Sequence, residues 1–62
     1  MNEAEVIYRL KQHLKRRRVD NGYLCRTDKA YCLNYVMDFL NLNKTQAKEF
    51  LINNIPAIAG LM

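Results

Sequence analysis

The sequence predicts a small all-α domain of three helices. Apolar residues recur at spacings of three and four along most of the chain, which is the pattern of one helix face. Only two glycines and one proline occur among the 62 residues, so little interrupts helix formation. The composition, 50% hydrophobic and 26% charged, is typical of a globular rather than a disordered chain. A chain of this length buries only about 60% of the surface that it exposes when unfolded. We therefore expect either a compact helical core or a partner that completes it.

The first helix is predicted over residues 3–18. It carries most of the net charge of +4, since residues 1–20 hold six Lys/Arg and three acids. A basic domain is attracted to polyanions, so this charge permits nucleic-acid binding without requiring it. The apolar face of the helix consists of Val6, Ile7, Leu10 and Leu14. Its last turn holds the basic cluster Lys15, Arg16, Arg17 and Arg18. These cations would either stabilise the helix by interacting with the negative end of its dipole or contact phosphates.

Residues 19–26 are predicted to form a loop, because Asp20-Asn21-Gly22 is a strong turn signal. Thr27 or Asp28 is then expected to cap a second helix over residues 28–40. The apolar residues of this helix, which cover more than half of its circumference, include Tyr31, Cys32, Leu33, Tyr35, Val36, Met37, Phe39 and Leu40. A helix of this kind is usually central in its domain, or meets a second protein with one face.

A short polar break separates the second helix from a third, predicted over residues 44–53. Asn41 tolerates the left-handed conformation that ends a helix sharply, and Asn43 can cap the helix that follows. Pro56 prevents continuation of the third helix. The apolar tail, residues 55–62, is expected to fold back on the first helix as a short helix or an extended cover. Alternatively, it would pack against a second copy in a homodimer.

Residues 33–52 resemble the helix-turn-helix of DNA-binding regulators. Members of that class have apolar residues at fixed positions in both helices and the turn, and the corresponding positions here are Val36, Leu40, Leu42, Ala47 and Phe50. Two positions differ from the class. Met37 stands where the helices touch and a small residue is usual, and Asn41 stands in the turn where glycine is usual.

The resemblance implies that the third helix lies in the major groove of double-stranded DNA, with its N-terminal residues at the base edges. The residues that would face DNA are Asn43, Lys44, Thr45, Lys48 and Glu49, with Ile52 at the margin. Lys15, Arg16, Arg17 and Arg18 of the first helix would hold phosphates. This hypothesis describes a small basic regulator of transcription or recombination. Structurally, the same pattern would also fit an antiparallel helical hairpin with an ordinary solvated outer face.

A second hypothesis is a protein-interaction module, such as an inhibitor or adaptor of a larger host or cellular protein. It is motivated by more apolar surface than a 62-residue monomer can readily bury. The residues expected at this interface are Tyr31, Tyr35, Phe39, Ile58 and Leu61.

Catalysis, cofactors and metals are not expected. The sequence has no serine, no glycine-rich phosphate loop and no metal-ligand spacing, and His13 reads as a surface or boundary residue. We expect Cys25 and Cys32 to be reduced, partly buried thiols, which suggests a cytoplasmic protein. No apolar run is long enough to span a bilayer, and the first residues lack the order of a secretory signal, so no membrane association is expected.

Overall fold

Four helices form the fold: α1 (Glu3–Asn21), α2 (Arg26–Leu40), α3 (Lys44–Asn54) and α4 (Pro56–Ala59). This computed structural model describes residues 2–62 apart from the side chain of Asn21, and it assigns no strand within them. The predicted all-α class is confirmed, with the apolar tail present as a short fourth helix. None of the described helices is long and apolar enough to cross a membrane.

The core draws on all four helices and on the residue that joins α3 to α4. Each of its members keeps at most 7% of its surface exposed. They are Val6, Leu10 and Leu14 of α1, Cys32, Leu33 and Val36 of α2, Ala47 and Leu51 of α3, and Ile55 and Ile58. The helix-spaced apolar positions of the sequence therefore converge on one cluster.

Helix α1 continues to Asn21, three residues beyond the predicted end. Nothing before Gly22 breaks a helix, so the last turn continues until that glycine takes the left-handed conformation (φ 77°) and donates its N–H to the carbonyl of Arg18. The prediction of a loop from residue 19 was therefore wrong for residues 19–21. The turn signal itself was read correctly, because Gly22 ends the helix.

Helix α2 begins at Arg26, before the predicted caps Thr27 and Asp28, and its N-cap is Cys25. Asp28 lies in the first turn, where its Oδ2 accepts a hydrogen bond from the Cys25 backbone N–H at 2.9 Å. This is the side-chain half of a capping box, which works from the third helical position rather than from the cap itself. The correction moves the basic side chain of Arg26 from the loop onto the helix.

Asp28 also ties α1 to α2. It is 1% exposed, and its Oδ1 accepts from Arg17 Nε at 2.9 Å and lies 3.9 Å from His13 Nε2. The Cys25 thiol, at 3.4 Å, donates to Oδ2. The hydrogen bond from the Cys25 backbone holds the pKa of Asp28 below its usual value against the opposing effect of burial, and Arg17 lowers it further. The buried carboxylate is thus ionised and fully hydrogen-bonded.

The tail folds back as α4, with Pro56 at its first position. Ile55 and Ile58 are buried in the core, and Ile55 and Ala57 line a groove together with Leu14 of α1. This confirms the predicted fold-back onto the first helix. It also corrects the assignment of Ile58 to a protein interface, because its side chain is buried in the core of its own chain.

Replacing Asp28 should destabilise the fold in a pH-dependent way. We expect Asp28→Ala to lower the free energy of unfolding by about 2 kcal/mol at neutral pH, because the cap of α2 and the hydrogen bonds of a buried carboxylate are lost. The lowered pKa means that the ionised carboxylate stabilises the fold above the ordinary value of 3.8, and that this contribution is lost as the pH falls below it.

Urea unfolding between neutral pH and pH values below that ordinary pKa measures this effect. Asp28→Asn should unfold with a weaker acid dependence than the parent chain, whereas Asp38→Asn, at an exposed carboxylate of the same helix, should keep it. Equal acid dependence in the parent and both variants would contradict the role of Asp28.

Candidate nucleic-acid interface

A tight corner joins α2 to α3 and sets the direction of α3. Asn41 ends α2 in the left-handed conformation, with φ 54°. Asn43 caps α3, since its Oδ1 accepts from the Gln46 N–H at 2.8 Å while Gln46 Oε1 accepts from the Asn43 N–H at 3.1 Å. Both asparagines therefore do what the sequence predicts. The reciprocal capping box also gives Gln46 a structural role.

The corner is anchored on its inner side. Val36 and Ala47 are fully buried, and Leu40, Leu42 and Phe50 are half-buried and pack against the core cluster. All five positions that resemble the helix-turn-helix pattern therefore contact or belong to the core. Met37, the larger residue at the expected helix contact, is accommodated as a half-buried side chain packed on the same cluster.

The outer face of α3 is exposed. The side chains predicted to face DNA lie there, namely Asn43, Lys44, Thr45, Lys48 and Glu49, together with Ile52 at the margin. None of them has a side-chain ion pair among the described contacts. The corner therefore holds a continuous polar surface of one turn and a half clear of the core.

The basic cluster at the end of α1 is divided among three surfaces, because successive helical residues point about 100° apart. Lys15 and Arg18 line the groove beside α4. Arg16 lies on the side that faces the aromatic residues of α2. Arg17 is held by Asp28. These four residues therefore do not form one surface, and Arg17 has a structural role.

Two basic residues that the sequence analysis missed lie beside the start of α3. Arg26 and Lys29 of α2 line a shallow cleft of about 510 Å³ together with Lys44. We call this cleft the Lys44 groove; its apolar lining residues are Ala30, Leu33 and Leu61. The signal was the three-residue spacing of Arg26 and Lys29, which became recognisable only once α2 was seen to begin at residue 26.

A second open groove, of about 540 Å³, runs between α1 and α2. His13 and Tyr31 stack in it, with ring centroids 4.0 Å apart at 19°, and Tyr31 stacks on Tyr35 at 5.9 Å. The ring contacts continue beyond the groove to Phe39, which is tilted by 43° to Tyr35 at 4.6 Å. We call it the α1–α2 groove; its lining consists of Tyr8, Arg9, Gln12, His13 and Arg16 of α1 with Tyr31 and Tyr35 of α2. Two of the residues predicted for a protein interface, Tyr31 and Tyr35, thus lie among cations.

Both cysteines are free thiols. Cys32 is buried, and burial raises its pKa to about 11, which keeps the thiol protonated. Cys25 is half-buried beside Asp28. Across residues 2–62, the described side chains contain no group of three His, Cys, Asp or Glu that could hold a metal ion.

Comparison with known proteins identified no matching family model, no matching curated protein and no matching solved structure.

The left-handed conformation at Asn41 predicts a position-specific sensitivity to β-branched residues. We expect Asn41→Val to lower the free energy of unfolding by about 1–2 kcal/mol, because a side chain branched at Cβ collides with the backbone at positive φ. Asn41→Gly should leave it nearly unchanged. Thermal or urea unfolding measures both.

Asn34→Val is the matched control, because Asn34 is an exposed residue within α2 and the two residue types have similar helix propensities. The explanation for the corner is wrong if the two valine variants lose the same amount of stability.

Proposed function

We propose that the protein binds duplex DNA through the exposed face of α3, as a small regulator of helix-turn-helix type. One observation carries the proposal. The five apolar positions beneath the corner reach the core, while Asn43, Lys44, Thr45, Lys48 and Glu49 all remain on the outside. A helix that enters a groove requires this division, and the basic and hydrogen-bonding side chains on the exposed face are those that contact DNA in the helix-turn-helix class.

The chemistry of the face suits an approach to DNA by the N-terminus of α3. That end of a helix carries a partial positive charge, and Lys44 adds a full one. Thr45 can donate to phosphate or contact a thymine methyl group. One turn further on, Lys48 can reach guanine or phosphate, and Glu49 can accept from the amino group of cytosine. Glu49 would repel a nearby backbone, so it favours specific over non-specific complexes.

The Lys44 groove supplies phosphate contacts beside the reading helix. Arg26 and Lys29 project from the N-terminal turns of α2, and both line the same cleft as Lys44. A duplex in contact with α3 would bring one strand of its backbone near these cations. They replace Arg17 in the mechanism, since the guanidinium of Arg17 is bound to Asp28. Lys15, Arg16 and Arg18 are exposed and remain candidates for weaker contacts.

A second candidate function is protein recognition by α2. It is favoured by the exposure of Tyr31 (44%) and Phe39 (45%) after the core has formed, since aromatic side chains dominate many protein interfaces. The surface is smaller than the sequence suggested, because Ile58 is buried and Leu61 is half-buried beside Lys44. Binding of DNA by α3 is therefore the better supported function.

A negative charge introduced at the cap of α3 should separate DNA binding from stability. In Asn43→Asp the carboxylate still accepts from the Gln46 N–H, so the free energy of unfolding should not fall. The new negative charge opposes phosphate, and we expect duplex affinity to drop by about tenfold or more at low salt. Fluorescence anisotropy with a labelled duplex measures the affinity.

Asn2→Asp is the control for this variant. Asn2 caps α1 in the same manner, its Oδ1 accepting from the Glu5 N–H at 2.8 Å. The two substitutions change the net charge equally, but Asn2 caps a different helix. Equal loss of affinity in both variants would mean that only total charge matters, and would contradict binding by α3.

The Lys44 groove should contribute to the salt dependence of binding. We expect Lys29→Gln to weaken duplex binding for all sequences and to reduce the slope of log affinity against log salt by about one, because one phosphate contact is lost. Lys11→Gln, on α1, should leave the slope unchanged. A slope that responds equally to both substitutions would exclude a phosphate contact at Lys29.

A further inference from the structure

We propose that the α1–α2 groove binds single-stranded nucleic acid, with bases against its rings and phosphates on its arginines. Among the described residues, every side chain that lines it ends in a planar group: three phenols, two guanidinium groups, one imidazole and one amide. Planar groups of this kind stack on nucleobases and form hydrogen bonds with their edges. The groove, at about 540 Å³, is in the size range of sites for small organic ligands.

The rings already form a stack that a base can extend. His13 lies nearly parallel to Tyr31 at 4.0 Å, and the series continues to Tyr35 at 5.9 Å. It is not closed off from solvent, since Tyr31 is 44% exposed and Tyr8, on the opposite wall, is 64% exposed. An unpaired base can therefore approach these rings without any opening of the core. Bases in a duplex are already stacked and paired, so the site favours a single strand.

Charge along the groove matches a phosphate backbone. Arg9 and Arg16 are seven residues apart on α1, which places them on one side of the helix about 10 Å apart along its axis. The lining contains no acidic side chain. Glu5 pairs with Arg9 at 3.2 Å, but both side chains are about half exposed, and such a pair yields readily to a phosphate.

The same lining disfavours two other possible ligands, an amphipathic helix of another protein and a second copy of this chain. Grooves that bind amphipathic helices are hydrophobic, and no aliphatic side chain lines this one in the described part of the chain. A second copy of the protein would bring Arg9 and Arg16 against their own counterparts, which like-charge repulsion opposes. The inference does not rest on α3, because the groove shares no residue with α3 or with the Lys44 groove. Arg16 is its one member that is also a candidate for a weaker contact with duplex DNA.

Intrinsic tyrosine fluorescence provides a direct test, since the chain has four tyrosines and no tryptophan. In a Tyr23→Phe background the three remaining tyrosines, Tyr8, Tyr31 and Tyr35, all line the groove. Titration with a single-stranded oligothymidylate should quench this fluorescence, because bases stack on the rings. Arg9→Gln combined with Arg16→Gln should weaken binding by at least about fivefold.

Lys44→Gln combined with Lys48→Gln is the matched control. It also removes two positive charges, but from α3. It should weaken duplex binding while leaving the oligothymidylate affinity within about twofold of the parent value. Equal loss of oligothymidylate affinity in both double variants would overturn the proposal. So would the absence of quenching at low salt, or equal quenching by poly-glutamate or an acidic aromatic peptide.

Tyr8 allows a test that leaves the charge of the groove unchanged. It is exposed and outside the core, so its replacement should not unfold the protein. Anisotropy of a labelled oligothymidylate should show a loss of at least about fivefold for Tyr8→Ala and little loss for Tyr8→Phe, because the phenylalanine ring keeps the stacking face. Equal affinities for the two variants would overturn the stacking role.

Discussion

The corner between α2 and α3 is the constraint on which the functional interpretation depends. Asn41 stops one helix at positive φ, and two residues later Asn43 starts the next through a reciprocal capping box. Because so few residues separate the two events, the direction of α3 is fixed by local backbone geometry and by the packing of Leu42 and Ala47 beneath it. The residues left on the outside of α3 then have no core to join, and they form a surface.

A buried carboxylate sets the other half of the arrangement. Asp28 fixes the start of α2 through Cys25 and holds Arg17 of α1 in the same network. This link determines how the side chains of α1 face those of α2, and so it positions both the stacked rings of the α1–α2 groove and the cations of the Lys44 groove. The two grooves lie on different sides of α2. One small domain can thus present two distinct basic surfaces, the Lys44 groove beside α3 and the α1–α2 groove beside the stacked rings.

Most of the fold could be predicted from local patterns. The spacing of the apolar residues predicts three helices, and Asn41, Asn43 and Pro56 mark ends that the structure confirms within one residue. Contacts between residues far apart in the sequence could not be predicted from local patterns. Nothing local distinguishes Asp28 as a cap from Asp28 as a buried partner of Arg17, and the sequence alone did not assign Ile58 to the core. The exposed face of α3 was predicted correctly, whereas Arg26, Lys29 and Tyr8 become candidates only when two helices are seen side by side.

Chemical-shift mapping of the ¹⁵N-labelled protein with a short DNA duplex at low salt tests the central claim most directly. If the corner presents α3 to DNA, the largest changes will fall on the backbone amides of residues 43–49 and on Arg26 and Lys29. Changes confined to other helices, or no changes at a duplex concentration that saturates a weak non-specific site, would contradict the account.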